Sequence, residues 1–256
     1  LRRGDAKLHV TATLNKLLNS SDMKIVKWIS ILVTGSLLAL ILCLEAYYLY
    51  AAYKLDLNEV ISDSAYSQDI YDSLWASLGE KGEIELETTS ATGFVFSFFS
   101  YGFSDLSREY SDHFSKGSMV SNQVARLIMR KNRQRTIDRH ISSVVTAIWL
   151  SRNSKVNHLL GFLMDESFFG KNLYGLESAS NFYFNKKPAD LNLNEVVSLI
   201  SLLKAPSRYN PYCNPERFRK RVEFVYSQLQ QNWPDKYDGQ VFSLPQISEG
   251  KDRECK

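Results

Sequence analysis

A cluster of basic side chains follows a Gly-Ser pair at residues 117–118. Its members are Arg126, Arg130, Lys131, Arg133, Arg135 and Arg139. Guanidinium groups bind phosphate oxygens through paired N–H donors, so the cluster predicts a site for a pyrophosphate or for an anionic lipid. A solvated helix end is the alternative interpretation of the same run.

The histidines predict no metal site. They have no metal-ligand spacing with one another or with the cysteines, and each is expected to be a surface or partly buried polar residue. The four are His9, His113, His140 and His158.

The elements that would position the basic cluster are mainly helices. Apolar residues recur at three-to-four spacing in two stretches, residues 137–148 and 156–163, which is typical of one buried helix face. At residues 192–204, Asn192 with Glu195 predicts a capping box. A further helix is expected after Asn214, with Phe218, Val222, Val225 and Leu229 on one face. The sequence therefore predicts a mainly α fold.

One segment near the N-terminus is suited to a bilayer. Residues 28–44 carry no charge, and tyrosines follow at positions typical of a membrane interface. We predict one transmembrane helix over residues 25–50, with a signal peptide or a buried soluble helix as alternatives. Basic residues before it and acidic residues after it predict a cytoplasmic tail at 1–24 and an extracytoplasmic C-terminal part, in a single-pass protein of the inner membrane.

The rest of the chain divides by composition. Residues 51–92 are expected to be an acidic, membrane-proximal link, residues 93–235 the folded domain, and residues 236–256 a C-terminal tail. A formal net charge of +3 over 256 residues is too dispersed to predict nucleic-acid binding. Cys213 and Cys255 would face an oxidising space, where a disulfide between them is possible but not fixed by their spacing.

A long stretch, residues 168–211, resembles the signature of the family-51 peptidoglycan glycosyltransferases. The family pattern runs through Phe-Gly, Tyr-Gly-x-Glu, Tyr-Phe-x-Lys, Asp-Leu-x-Leu-x-Glu, Ala-Pro and Tyr-Asn-Pro. The matching residues are Phe169, Gly170, Tyr174, Gly175, Glu177, Ala179, Tyr183, Phe184, Lys186, Asp190, Leu191, Leu193, Glu195, Ala205, Pro206, Tyr209, Asn210 and Pro211.

A second match lies upstream, in the sequence GSMVSNQVAR, which is similar to the family's Gly-Ser loop and the helix that it leads into. Ser154 and Lys155 match a Ser-Lys pair between the two regions. The resemblance implies a lysozyme-like α fold and, in the family, polymerisation of lipid II. It implies no cofactor beyond a magnesium or manganese ion carried by the lipid pyrophosphate. The substrate-binding residues that it implies are Ser118, Gln123, Arg126, Arg139 and Glu177.

The acids of the family are not found at their positions. Counting from Ser118 and from Lys155 both place one family glutamate at Ser142, while Asp138 lies one helical turn earlier. A further family glutamate falls at Leu150. The motif of the general base is absent. Depending on the loop length, its position falls at Gly93 or at Glu85, with Glu87 as a neighbouring candidate.

Two hypotheses follow from this pattern. The first is a membrane-anchored domain that binds lipid II, glycan or a cell-envelope protein without efficient catalysis. The second is an active monofunctional glycosyltransferase that uses Glu85 or Glu87 as its base. A lytic enzyme of the same fold is a third, less favoured option, since it also needs a positioned carboxylic acid.

An aromatic run at residues 94–103 has two interpretations. It is either a surface that dips into the membrane, as the family's equivalent region suggests, or a buried core element. Its members are Phe94, Phe96, Phe98, Phe99, Tyr101 and Phe103.

Overall fold

The computed structural model describes residues 4–57, 60, 62–103, 114–131 and 136–247, with the backbone alone for residues 4–24, 101–103, 131 and 136–138. The chain divides into two compact units, Leu1–Leu49 and Tyr50–Lys256. Cys255 and the basic residues Arg133 and Arg135 lie outside the described residues. So does His113.

The N-terminal helix α1 spans Gly4–Leu55. Its part Ile25–Leu55 has 31 residues and a mean hydropathy of 2.2, which makes it long and apolar enough to cross a membrane. The large apolar side chains between residues 25 and 42 are exposed, as contact with lipid requires. The helix continues five residues past the predicted end at residue 50.

The described residues of the second unit form helices and one small hairpin, so the predicted mainly α fold is confirmed. The strands β1 (Phe168–Gly170) and β2 (Leu173–Tyr174) pair antiparallel. The helices are α2 (Gln68–Ser77), α3 (Ala91–Phe103), α4 (Ser118–Lys131), α5 (Thr136–Asn153), α6 (Val156–Glu166), α7 (Leu176–Phe184), α8 (Leu193–Leu202), α9 (Pro215–Asn232) and α10 (Pro234–Tyr237), with a 3-10 turn at Pro188–Asp190.

The core lies where α2 packs against α8 and α9, and where α4 packs against α5 and α6. The predicted apolar faces of α6 and α9 are buried in this core. On α5 the predicted face is buried at Val145 and Ile148, whereas Ile141 is 43% exposed. The buried face of α5 therefore begins later than its periodicity predicted.

Helix α2 lies within residues 51–92, the stretch that the sequence indicated as an acidic, membrane-proximal link. The side chains of α2 pack into the core. Trp75 is fully buried, and Ile70 and Leu74 are 1% exposed. The acidic composition was misleading because the acids Asp69 and Asp72 are paired within the fold.

Those acids bind the segment that was expected to be a tail. Tyr237, 1% exposed, donates its hydroxyl to Asp69 (2.9 Å) and Asp72 (2.7 Å). Lys236 lies 2.9 Å from both carboxylates. Burial, followed by the bonds to Asp72 and Asp69, raises the pKa of Tyr237. The chain beyond residue 235 therefore completes the core and continues along it to Phe242 and Ile247.

The capping box of α8 is confirmed in both directions. The backbone N–H of Glu195 donates to Asn192 Oδ1 (3.0 Å), and the N–H of Asn192 donates to Glu195 Oε2 (2.9 Å). Lys186 also binds the Glu195 carboxylate, at 2.8 Å. This arrangement satisfies two N–H groups that have no partner within the helix.

We expect Asn192→Ala to lower the free energy of unfolding by about 1 kcal/mol, because the cap is lost at a helix start in the core. The change is measured by thermal or denaturant unfolding of the full chain in detergent. Asn181→Ala, on the exposed face of α7, is the control and is expected to stay within about 0.5 kcal/mol. Equal effects of the two variants would show that the cap contributes nothing.

Candidate functional site

The Gly-Ser loop is the point from which the site is built. Gly117 has a φ of 77°, and a Cβ at this residue would lie 2.8 Å from the Leu86 side chain and 2.9 Å from the Glu85 carbonyl oxygen. No other residue fits there without a shift of the loop. Ser118 then begins α4, its backbone N–H donating to the Ser115 carbonyl (3.1 Å).

A buried carboxylate holds this loop. Glu80 follows the end of α2, where Gly79 has a φ of 81°, and it is 4% exposed. Its Oε2 accepts the backbone N–H of Gly117 (3.0 Å), and its Oε1 accepts that of Met119 (2.8 Å). Asn232, at the end of α9, donates to the Glu80 carbonyl (2.9 Å). Burial raises the pKa of Glu80, although the two N–H donors oppose the shift.

Beside the loop lies a cleft with a volume of about 410 Å³. Helices α2, α4, α6 and α9, the start of β1 and the turn after α8 all contribute to its walls. Four cationic side chains line it, and no aspartate or glutamate does among the described residues. The polar lining residues are Ser77, Gln123, Arg126, Arg130, Ser167, Lys204 and Arg221.

Arg221 connects this cleft to α2. Its Nη2 donates to the Ser77 carbonyl at the end of α2 (2.9 Å), while its Nε is buried and has no hydrogen-bond partner in the described part of the chain. Burial lowers the pKa of the guanidinium, because the charged form loses hydration. The cleft therefore holds a cation that an anionic ligand would stabilise.

The structure brings together two of the five substrate-binding residues that the sequence suggested. Gln123 and Arg126 line the cleft, one turn apart on α4. Ser118 lies instead in a small neighbouring pocket with Ser121 and Asn122. Arg139 on α5 and Glu177 on α7 are exposed and do not line the cleft. The substrate-binding roles predicted for Ser118, Arg139 and Glu177 stay predictions.

The candidate acids from the sequence lie around the loop and outside the cleft. Glu85 is 65% exposed at its side chain and lies 3.5 Å from Lys116, while Glu87 accepts the Lys116 backbone N–H (3.1 Å). Ser142 is half-buried on α5, and the Leu150 position is part of the core. The side chain of Asp138 lies outside the described residues.

Neither the histidines nor the acids assemble a metal site among the described residues. His158 contacts the backbone of Ser62 through Nδ1, 3.1 Å from the carbonyl, and His140 is exposed. In the aromatic run, which forms α3, Phe96, Phe98 and Phe99 are 58–75% exposed, while Phe94 packs against Phe114. The exposed residues favour the surface interpretation for this part of the run.

Sequence reasoning missed Glu80, Lys204 and Arg221. Glu80 was missed because the motif expected around the base is absent, although a glutamate after a helix-ending glycine was visible. Lys204 and Arg221 were missed because they reach the cleft from 78 or more residues downstream of Arg126. Only the packing of α8 and α9 brings them there.

A family model described as Transglycosylase matches residues 104–230. This range contains Gln123, Arg126, Arg130, Lys204 and Arg221. Residues 104–230 belong to the transglycosylase family. Glu80 and α2 precede the matched range, and α10 follows it.

Curated relatives agree with this assignment. Penicillin-binding protein 1A of Aquifex aeolicus is 30% identical over 128 residues, 49% of this chain and 18% of the relative. Penicillin-binding protein 1F of Bacillus subtilis is 32% identical over 113 residues, 44% of this chain and 16% of the relative. Penicillin-binding protein 1A of Pseudomonas aeruginosa has the same identity over 113 residues, 14% of its length. The match spans less than a fifth of each of these relatives.

We expect Glu80→Ala to destabilise the transglycosylase domain by about 1–3 kcal/mol, because the N–H groups of Gly117 and Met119 lose a buried acceptor. The measurement is the unfolding midpoint of the full chain in detergent. Glu216→Ala, whose parent side chain is 77% exposed, is the control and is expected to have little effect.

We also expect a pH dependence with a defined sign. Because the pKa of Glu80 is raised in the folded state, the native chain binds this proton more tightly than the unfolded chain does. The stability of the wild type relative to Glu80→Gln is therefore highest at acidic pH and falls as the pH rises above about 4.5, the ordinary pKa of glutamate. A difference that grew with pH would contradict the burial argument.

Proposed function

We propose that this chain is anchored in a membrane by α1 and that its transglycosylase domain binds a lipid-linked glycan through its pyrophosphate, without efficient polymerisation. Lipid II is the ligand that the family suggests. The observation that carries the proposal is the cleft of four cations without an acid in its described lining. A pyrophosphate matches such a site because its oxygens accept several charged hydrogen bonds at once.

The contacts of Glu80 favour binding over turnover. A general base needs a free lone pair directed at the attacking hydroxyl. Both oxygens of Glu80 already accept backbone N–H groups, and the side chain does not line the cleft. Its geometry is that of a group that positions the loop and the start of α4.

An active glycosyltransferase is the second candidate, and one observation favours it. Glu80 is a buried carboxylate with a raised pKa, and no cation among the described residues contacts it directly. In that reaction the acceptor hydroxyl would attack the anomeric carbon, its proton would pass to the base, and lipid pyrophosphate would leave toward the cations of the cleft. This requires the acceptor hydroxyl to reach Glu80, whose side chain does not line the cleft.

We expect full-length protein in detergent to bind lipid II saturably, and Arg126→Ala to weaken this binding by about tenfold or more. A lost charged hydrogen bond is worth about 1.5–3 kcal/mol, and 1.4 kcal/mol corresponds to a factor of ten. Arg217→Ala removes the same charge from an exposed position of α9 and is expected to bind as the wild type does.

Polymerisation is assayed in parallel with labelled lipid II. Saturable binding without polymer supports the proposal. Polymer made by the wild type and lost in Arg126→Ala would overturn it in favour of the enzyme, and single replacements of Glu80, Glu85, Glu87 and Asp138 would then identify the base. Binding that is equally weakened by Arg217→Ala would argue for a diffuse charge effect instead of a site.

The membrane orientation is part of the proposal. The basic residues that precede the uncharged segment 28–44 favour a cytoplasmic N-terminus. Cys213 is disulfide-bonded, which favours an oxidising, extracytoplasmic environment for the domain. Cys255, the partner that the sequence suggested, lies outside the described residues.

We expect protease added to right-side-out membrane vesicles to degrade the domain and to leave an N-terminal tag on a protected fragment. Cys213 should also resist alkylation in the unfolded, unreduced protein and react after a reductant is added, whereas Cys43, which is free, reacts in both cases. If the protease removed the tag and left the domain intact, the orientation would be the opposite of the one proposed.

A further inference from the structure

An exposed tyrosine packs against Phe168, a residue of the cleft wall, and has no role in the contacts described above. Tyr174 on β2 is 61% exposed, although it is a large aromatic residue in a well-packed part of the domain. It pairs across the hairpin with Phe168, and their ring centroids are 5.2 Å apart at an angle of 45°. Phe168 is itself part of the cleft lining. The two rings therefore extend the cationic cleft with an aromatic surface.

The hairpin holds these rings in a fixed place. Its turn residues Lys171 and Asn172 have φ values of 50° and 60°. These values lie in the small left-handed region of backbone conformations, which leaves the turn little freedom. Behind β2, a Cβ at Gly175 would lie 2.9 Å from the Asp165 carbonyl oxygen, so the hairpin is pressed against the end of α6. On the other strand, Tyr183 donates its hydroxyl to the Phe169 carbonyl (3.2 Å).

A rigid exposed aromatic beside a polar cleft suits one class of ligand. A pyranose ring presents C–H groups on its faces and hydroxyl groups around its edge, so a face packs on an aromatic ring while the edge stays hydrated or bonded to polar groups. A polyprenyl chain would need a continuous apolar surface, whereas the turn beside Tyr174 consists of Lys171 and Asn172.

We propose that Tyr174, supported by Phe168, is a platform for a sugar ring of the same lipid-linked glycan whose pyrophosphate binds in the cationic cleft. This inference rests on the proposed function and adds a specificity determinant to it. The cations recognise the pyrophosphate, which every polyprenyl pyrophosphate carries. Tyr174 distinguishes the ligands that also carry sugar from those that do not.

The test compares two ligands on full-length protein in detergent: lipid II, and a polyprenyl pyrophosphate of the same chain length without sugar. We expect Tyr174→Ala to weaken lipid II binding by about tenfold and to leave binding of the sugar-free ligand unchanged. Tyr174→Phe and Tyr174→Trp, which keep an aromatic face, are expected to retain most of the lipid II affinity. Arg126→Ala is expected to weaken binding of both ligands.

The outcomes separate the inference from the proposed function. If the wild type binds neither ligand, the proposed function fails and the platform fails with it. If both ligands bind and Tyr174→Ala leaves lipid II binding unchanged, or weakens both ligands equally, the platform alone is wrong. Unfolding midpoints of the variants, expected to match the wild type because Tyr174 is exposed, rule out a loss caused by misfolding. A selective loss with lipid II supports the inference.

Discussion

The hydrogen bonds from Gly117 and Met119 to the Glu80 carboxylate join the two parts of the molecule on which the site depends. One part is α2, which lies before the range that matches the transglycosylase family. The other is the Gly-Ser loop with α4, which carries Gln123 and Arg126. Since both N–H groups are at the start of α4, the carboxylate also satisfies donors that have no partner within the helix. The direction of α4, and with it the position of Arg126, follows from this contact.

The same constraint explains why segments outside the family match belong to the fold. The end of α2 is held by Arg221 through Ser77, and its start is held by Tyr237 and Lys236 through Asp69 and Asp72. A carboxylate as buried as Asp72 is stable only when its charge is paired and hydrogen-bonded. Residues beyond 235 supply those partners. The positioning of Glu80 thus depends on contacts with Arg221 and Asn232 of α9 and with α10.

The distribution of charge around the loop separates two kinds of group. Arg126, Arg130, Lys204 and Arg221 line the cleft, whereas Glu85 and Glu87 contact Lys116 and are not part of the lining. Like charges in one cleft repel one another, which raises the free energy of the empty cleft. A bound anion relieves this repulsion, so the arrangement favours anion binding. This asymmetry is the physical basis for proposing an anion-binding domain.

The sequence by itself determined the helical class, the apolar N-terminal helix, the capping box of α8 and the presence of Gln123 and Arg126 after the Gly-Ser loop, because each depends on residues close together in the chain. Only the tertiary structure decided that α2 and α10 belong to the core, that Lys204 and Arg221 join Arg126, and that Glu80 is the carboxylate at the loop. Those contacts join residues 37 to 168 positions apart. Local periodicity and spacing carry no information on such pairs, since their proximity follows from how whole helices pack.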